Sequence, residues 1–142
     1  MNILIKSKVI PESLVVYNEE GKAVRFKNAF GGHISFMNSI FNKNVDTKPY
    51  GTAFMVGFFG LPLEACIALA SHDWTTMDGF ISMEFHHHLV PYADECASGK
   101  KRNNTHHHCK EEGPMSVERA ISACSSGFGQ SMGGRALWLH FK

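Results

Sequence analysis

The sequence contains no run of about eighteen apolar residues, the length that a membrane-crossing helix needs, so no spanning segment is expected. It has no surplus of either charge. Its 14 Lys and Arg set against 13 Asp and Glu leave a formal net charge of +1. A chain so balanced carries no general electrostatic footprint for nucleic acid or for an anionic membrane. No two cysteines form a C-x-x-C pair, which removes the zinc-ribbon and thioredoxin-like readings. There is no G-x-S-x-G elbow, no phosphate-cradling Gly-x-x-x-x-Gly-Lys and no dinucleotide fingerprint, and neither an internal repeat nor a low-complexity linker. The stretch Met1 to Ile10 has its apolar run broken by Lys6 and Lys8 and lacks a small-residue cleavage site, so it is not read as a signal peptide. Without export, Cys66, Cys96, Cys109 and Cys124 are expected to be reduced and the protein cytoplasmic.

What is present suits one packed domain over residues 1–142: an apolar share of 44%, a charged share of 19% and 11 Phe. Residues 2–10 and 13–17 are rich in Ile, Leu and Val and read as extended. Asn18-Glu19-Glu20-Gly21 reads as the turn of a hairpin whose second strand is 22–27. Gly31-Gly32 breaks the chain, and Ile34, Met37, Ile40 and Phe41 then recur at helical spacing. The Gly-studded run Tyr50 to Phe59 predicts a buried strand that Gly60 ends. Pro62 opens a helix with Leu63, Cys66, Ile67 and Ala70 on its core side, Cys66 acting as a small buried hydrophobe, and the helix fades near His72-Asp73. A strand is expected from Phe80 to about Val90 and a long loop over 94–114. Ser116 caps a last helix with the stripe Val117, Ala120, Ile121 and Cys124. Arg135 to Phe141 is apolar throughout, the mark of a central strand. About six strands and three helices in mixed order predict an α+β fold, a mostly antiparallel sheet with the helices packed on one face.

The chemistry-bearing residues concentrate between Glu84 and Cys109, where six of the 9 His fall in two triplets, His86-His87-His88 and His106-His107-His108. On a strand with a period of two, Met83, Phe85 and His87 point one way, and Glu84, His86 and His88 point the other. The second face thereby collects a carboxylate and two imidazoles. His86, His88, an imidazole from His106 to His108, and Cys96 or Cys109 would satisfy tetrahedral zinc, or another divalent metal that accepts nitrogen and oxygen ligands.

Glu84-Phe85-His86-His87-His88-Leu89-Val90-Pro91 resembles the strand end of HNH, or ββα-metal, nucleases, over residues 84–109 only. The Asn that follows in that family falls on Asn103, and the further ligand on His106 or His108. The resemblance implies a metal-dependent phosphodiester hydrolase with His88 as general base and Asn103 in its active site. His106 and His108 would hold a divalent ion, and Lys100, Lys101 and Arg102 would meet the backbone phosphates. The family's cysteine pairs and the Gly-Gly after its Pro are missing here.

Tyr50-Gly51, Gly60 and Glu64 are similar, in their order, to the motif of phage S-adenosylmethionine lyases, which implies a small oligomeric α+β enzyme with Glu64 in the active site. The alternative to both enzymes is a non-enzymatic binding or inhibitory protein, such as a phage encodes. Nucleic acid is a partner only under the nuclease resemblance, since net charge does not point to it. A protein partner or a homo-oligomer suits the other readings.

Overall fold

The computed structural model describes residues 12–38, 54–85, 107–126 and 135–141. The segments 1–11, 39–53, 86–106 and 127–134 and residue 142 lie outside the described residues, and with them the expected extended segment 2–10 and the glycine-rich turn.

Asn18 makes the first hairpin. Its side-chain oxygen accepts from the Glu20 and Lys22 amides at 3.2 and 2.8 Å, and Gly21 takes the positive φ, 73°, that closes the turn. Strand β1 (Val15–Tyr17) thereby pairs antiparallel with β2 (Ala23–Lys27), Val15 opposite Phe26. Asn28 repeats the device. Its oxygen accepts from the Phe30 and Gly32 amides at 3.0 and 3.1 Å, while its amide nitrogen donates to the Phe59 carbonyl at 2.7 Å. That turn sends the chain back along β2 as β3 (His33–Asn38), where a helix was expected from Ile34 onward. The helical spacing of Ile34 and Met37 loses because β3 is hydrogen-bonded on both sides, to β2 and to β4 (Phe54–Leu61).

β4 runs one residue past Gly60 and leads into α1 (Leu63–Ser71), with Pro62 as its N-cap. The helix stops at His72, as expected. Asp73 then caps a single 3₁₀ turn, Trp74–Thr76, accepting from the Thr75 amide. β5 (Phe80–Glu84) follows. The expected loop over 94–114 is corrected within its described part: residues 107–109 form β6 (His107–Cys109), a 3₁₀ turn covers Lys110–Glu112, and α2 (Val117–Ser125) begins at the predicted cap, Ser116. β7 (Arg135–Phe141) closes the fold.

Among the described residues seven strands form one antiparallel sheet in the order β1-β2-β3-β4-β7-β5-β6, with β7 interior to it, as its unbroken apolarity required. Both helices lie on one face. The core there comprises Leu137, Leu139 and Phe141 of β7, Phe80 and Met83 of β5, Phe85, and Cys66, Ala70, Ala120, Ala123 and Cys124 of the helices. Two expectations about the helices change. Val117 and Ile121 are exposed, while the small residues Ala120, Ala123 and Cys124 are the buried ones of α2. Cys66 is not a reduced hydrophobe but is disulfide-bonded to Cys124, tying α1 to α2. The α+β class and the one-sided helix layer stand as expected, with two helices of more than one turn among the described residues.

Candidate functional site

The face of the sheet away from the helices carries the buried polar groups. The register sets them in two rows, because residues paired across a sheet share a face. Gly57, Trp138, Glu84 and His107 form one row across β4, β7, β5 and β6, and Met55, His140, Ser82 and Cys109 form the next. Gly57 is required where it stands: a Cβ would lie 2.6 Å from the Trp138 ring, which packs over its backbone. Beyond it Phe59 meets Trp138 edge-to-face at 5.2 Å and stacks on His33 at 4.2 Å.

Glu84 sits between two imidazoles, its Oε2 3.4 Å from His140 Nε2 and its Oε1 3.8 Å from His107 Nε2. All three residues are at most 4% exposed. A carboxylate at such burial is tolerated through polar neighbours of this kind. The alternation on β5 therefore puts Glu84 on the other face from Met83 and Phe85, as expected, and Glu84 is buried there.

A second knot ties β6 to α2. The Glu112 carboxylate accepts from the Cys109 amide at 2.7 Å and from Arg119 Nη1 at 2.9 Å, and Arg119 Nη2 donates to the His107 carbonyl at 2.9 Å. Burial pushes the Glu112 carboxyl up, but the Cys109 amide, the Arg119 guanidinium and the His108 ring together hold it below its ordinary value. His108 lies on the helix side, opposite Met83. Its Nε2 is 2.7 Å from the Gly113 carbonyl, and its Nδ1 is 3.7 Å from Glu112.

Of the residues singled out for metal, His108 is thus engaged with a backbone carbonyl, and Cys109 is disulfide-bonded rather than a thiolate. His86, His88, Asn103, His106 and Cys96 lie outside the described residues, as do Tyr50 and Gly51. Glu64 is an exposed first-turn residue of α1. Among the described residues no group of three or more His, Cys, Asp or Glu side chains is arranged to hold a metal ion. Sequence reasoning overlooked His140 and the Glu112–Arg119 pair, and it offered His107 only as one of three candidate imidazoles. A lone His in an otherwise apolar strand was the available signal for His140, since an imidazole there needs a polar neighbour on the next strand.

The antiparallel sheet carries a disulfide-stapled helix pair on one face. The crystal structure of a type IV b pilin from Salmonella typhi is similar to it, with a TM-score of 0.57 and 17% identity, covering 96% of this chain and 74% of that one. No family model and no curated protein matches the sequence. The likeness corrects several expectations. Its fold is neither that of an HNH nuclease nor that of an S-adenosylmethionine lyase, so both resemblances fail as local coincidences of short motifs. The zinc-dependent hydrolase reading falls with them, given also the ligand geometry among the described residues. The reduced-thiol expectation is overturned by the disulfides at Cys66, Cys109 and Cys124, and the cytoplasmic expectation tied to it is corrected with it. No helix among the described residues is long and apolar enough to cross a membrane.

Proposed function

We propose that this chain is a pilin-like structural subunit that works outside the cytoplasm and assembles with other copies of itself. The observation that carries the reading is the fold likeness to a type IV b pilin, which extends over 96% of the chain. Two features support it. The described cysteines are all in disulfides, the state that oxidising compartments maintain. The polar cluster around Glu84 is buried, its carboxylate set between imidazoles of the two neighbouring strands.

The test is location together with assembly. Fractionation of cells making the chain at native level, with an antibody to it, should find it in the envelope or in sheared surface material, and electron microscopy of that material should show antibody-decorated polymers. A chain recovered only from the cytosol, with thiols that react with a maleimide before reduction, would sink the proposal.

A further inference from the structure

The face of the sheet away from the helices is closed at one end and open at the other. Over β7, β5 and β6 its side chains are buried, Trp138, His140, Glu84 and His107 among them. Over β2 and β3 it is exposed and cationic. The register sets Lys27 opposite His33, and both share that face with Arg25, one strand period along β2; all three are exposed. Among the described residues none of these three side chains takes part in an ion pair. The nearest carboxylates along β2, Glu19 and Glu20, stand beyond its other end in the hairpin turn.

The helix side carries the opposite sign. Among the described residues every exposed Lys or Arg precedes Asn28, namely Lys22, Arg25 and Lys27. From Pro62 to Ser126 the exposed Asp, Glu, Lys and Arg residues are all acidic: Glu64, Asp73, Asp78, Glu111 and Glu118. Two of these are fixed beside each other. The Arg119–Glu112 ion pair, 2.9 Å long, fastens the 3₁₀ turn at Lys110–Glu112 to the first turns of α2. Glu111 and Glu118, each the sequence neighbour of one member of that pair, are thereby held at one corner. Neither takes part in an ion pair among the described residues.

The geometry points to front-to-back docking between copies, in which the Glu111–Glu118 corner of one meets the Arg25–Lys27–His33 face of the next. Single surface ion pairs contribute little, but two carboxylates against a row of cations fix orientation and speed encounter. Exposed Val117 beside Glu118, and exposed Met37 on the strand face of His33, add apolar contact next to the charges. The two surfaces lie on opposite sides of the sheet, so each copy keeps one of each after docking and the contact can propagate. This inference rests on the assembly reading above and names the surfaces through which assembly occurs.

Sedimentation velocity on the disulfide-intact chain tests it. The wild type should self-associate, and more weakly as salt screens the charges. The pair Arg25→Glu with Lys27→Glu should weaken association about tenfold or more, as should Glu111→Lys with Glu118→Lys, and a chain carrying all four should recover it. All four positions are exposed, so circular dichroism should stay unchanged throughout. In a mixture of heavy-isotope and light chains, a carbodiimide should join Lys27 of one copy to Glu111 or Glu118 of another. Association that neither charge-reversed pair changes would overturn the docking mode while leaving assembly standing. Weakening by both pairs without recovery in the fourfold variant would overturn the pairing of these two surfaces. A wild type that stays monomeric at every concentration would remove assembly and docking together. Lys27 crosslinks to Glu111 or Glu118 confined to single chains would also overturn the proposal.

Discussion

At the scale of single residues, Asn28 and Gly32 decide the path of the first half of the sheet. A Cβ on Gly32 would fall 1.7 Å from the Phe59 carbonyl oxygen, a backbone atom that cannot swing aside. Asn28 donates to the same carbonyl with its amide nitrogen. Gly32→Ala should therefore lower stability by about 1–3 kcal/mol or more, and Asn28→Ala by a similar amount through the loss of a part-buried hydrogen-bonding hub. Denaturant midpoints of the two variants check this, and a shift under a few tenths of a kcal/mol in both would contradict it. The chain break at Gly31-Gly32 is legible from composition. The tie to Phe59 is not, because it joins residues 31 apart in the chain and no local pattern encodes it. Distance in sequence likewise hides His140 beside Glu84.

At the scale of elements, the β6–α2 junction and the helix pair each depend on one side-chain link. Glu112 has its carboxyl held below the ordinary glutamate value of 4.5 in the folded chain, so its contribution is complete above that value and is lost as pH falls through the lower folded value. Unfolding midpoints should consequently fall on acidification below about pH 4.5, and Glu112→Gln should flatten that fall while lowering stability at neutral pH. An acid limb identical in the variant would count against the junction. The helices rely on Cys66–Cys124, which closes a loop with a sequence separation of 58. Chain entropy puts its worth at about 4 kcal/mol, and Cys66→Ala with Cys124→Ala should lose most of that in a thermal or denaturant scan. Element types read from the sequence fare by how local their causes are. The hairpin, the capped helix at Ser116 and central β7 follow from short patterns. β3 reads wrongly as helix because Ile34 and Met37 fit a helical period, and only pairing with two neighbours settles the matter. The buried side of α2 reads wrongly because hydrophobicity alone assigns the stripe, whereas close approach to α1 selects Ala120 and Ala123 by size.

At the scale of the whole molecule, the α+β class is legible in the sequence and the function is not. Alternating and unbroken apolar strands with two amphipathic helices suffice for a sheet with a one-sided helix layer. The histidine triplets draw attention because their chemistry is versatile, yet His107 and His108 point to opposite faces of β6 and serve separate contacts. Adjacent residues on a strand cannot join one cluster, so a triplet in sequence divides in space. Cysteine spacing is silent about pairs that come together only through helix packing, as Cys66 and Cys124 do.

That crosslink has a mechanical consequence. Tension applied to the two chain ends bypasses the 58-residue span between Cys66 and Cys124 as long as the bond holds. Roughly 200 Å of contour length is thereby withheld from extension. The withheld span contains β5, β6 and most of α2, so those elements would stay folded or loosely tethered while the outer strands give way. Pulling single chains by their ends should show a short extension per unfolding event under oxidising conditions, and one longer by about that contour after reduction with a phosphine. Equal extensions in both conditions would mean that the bond does not carry the load.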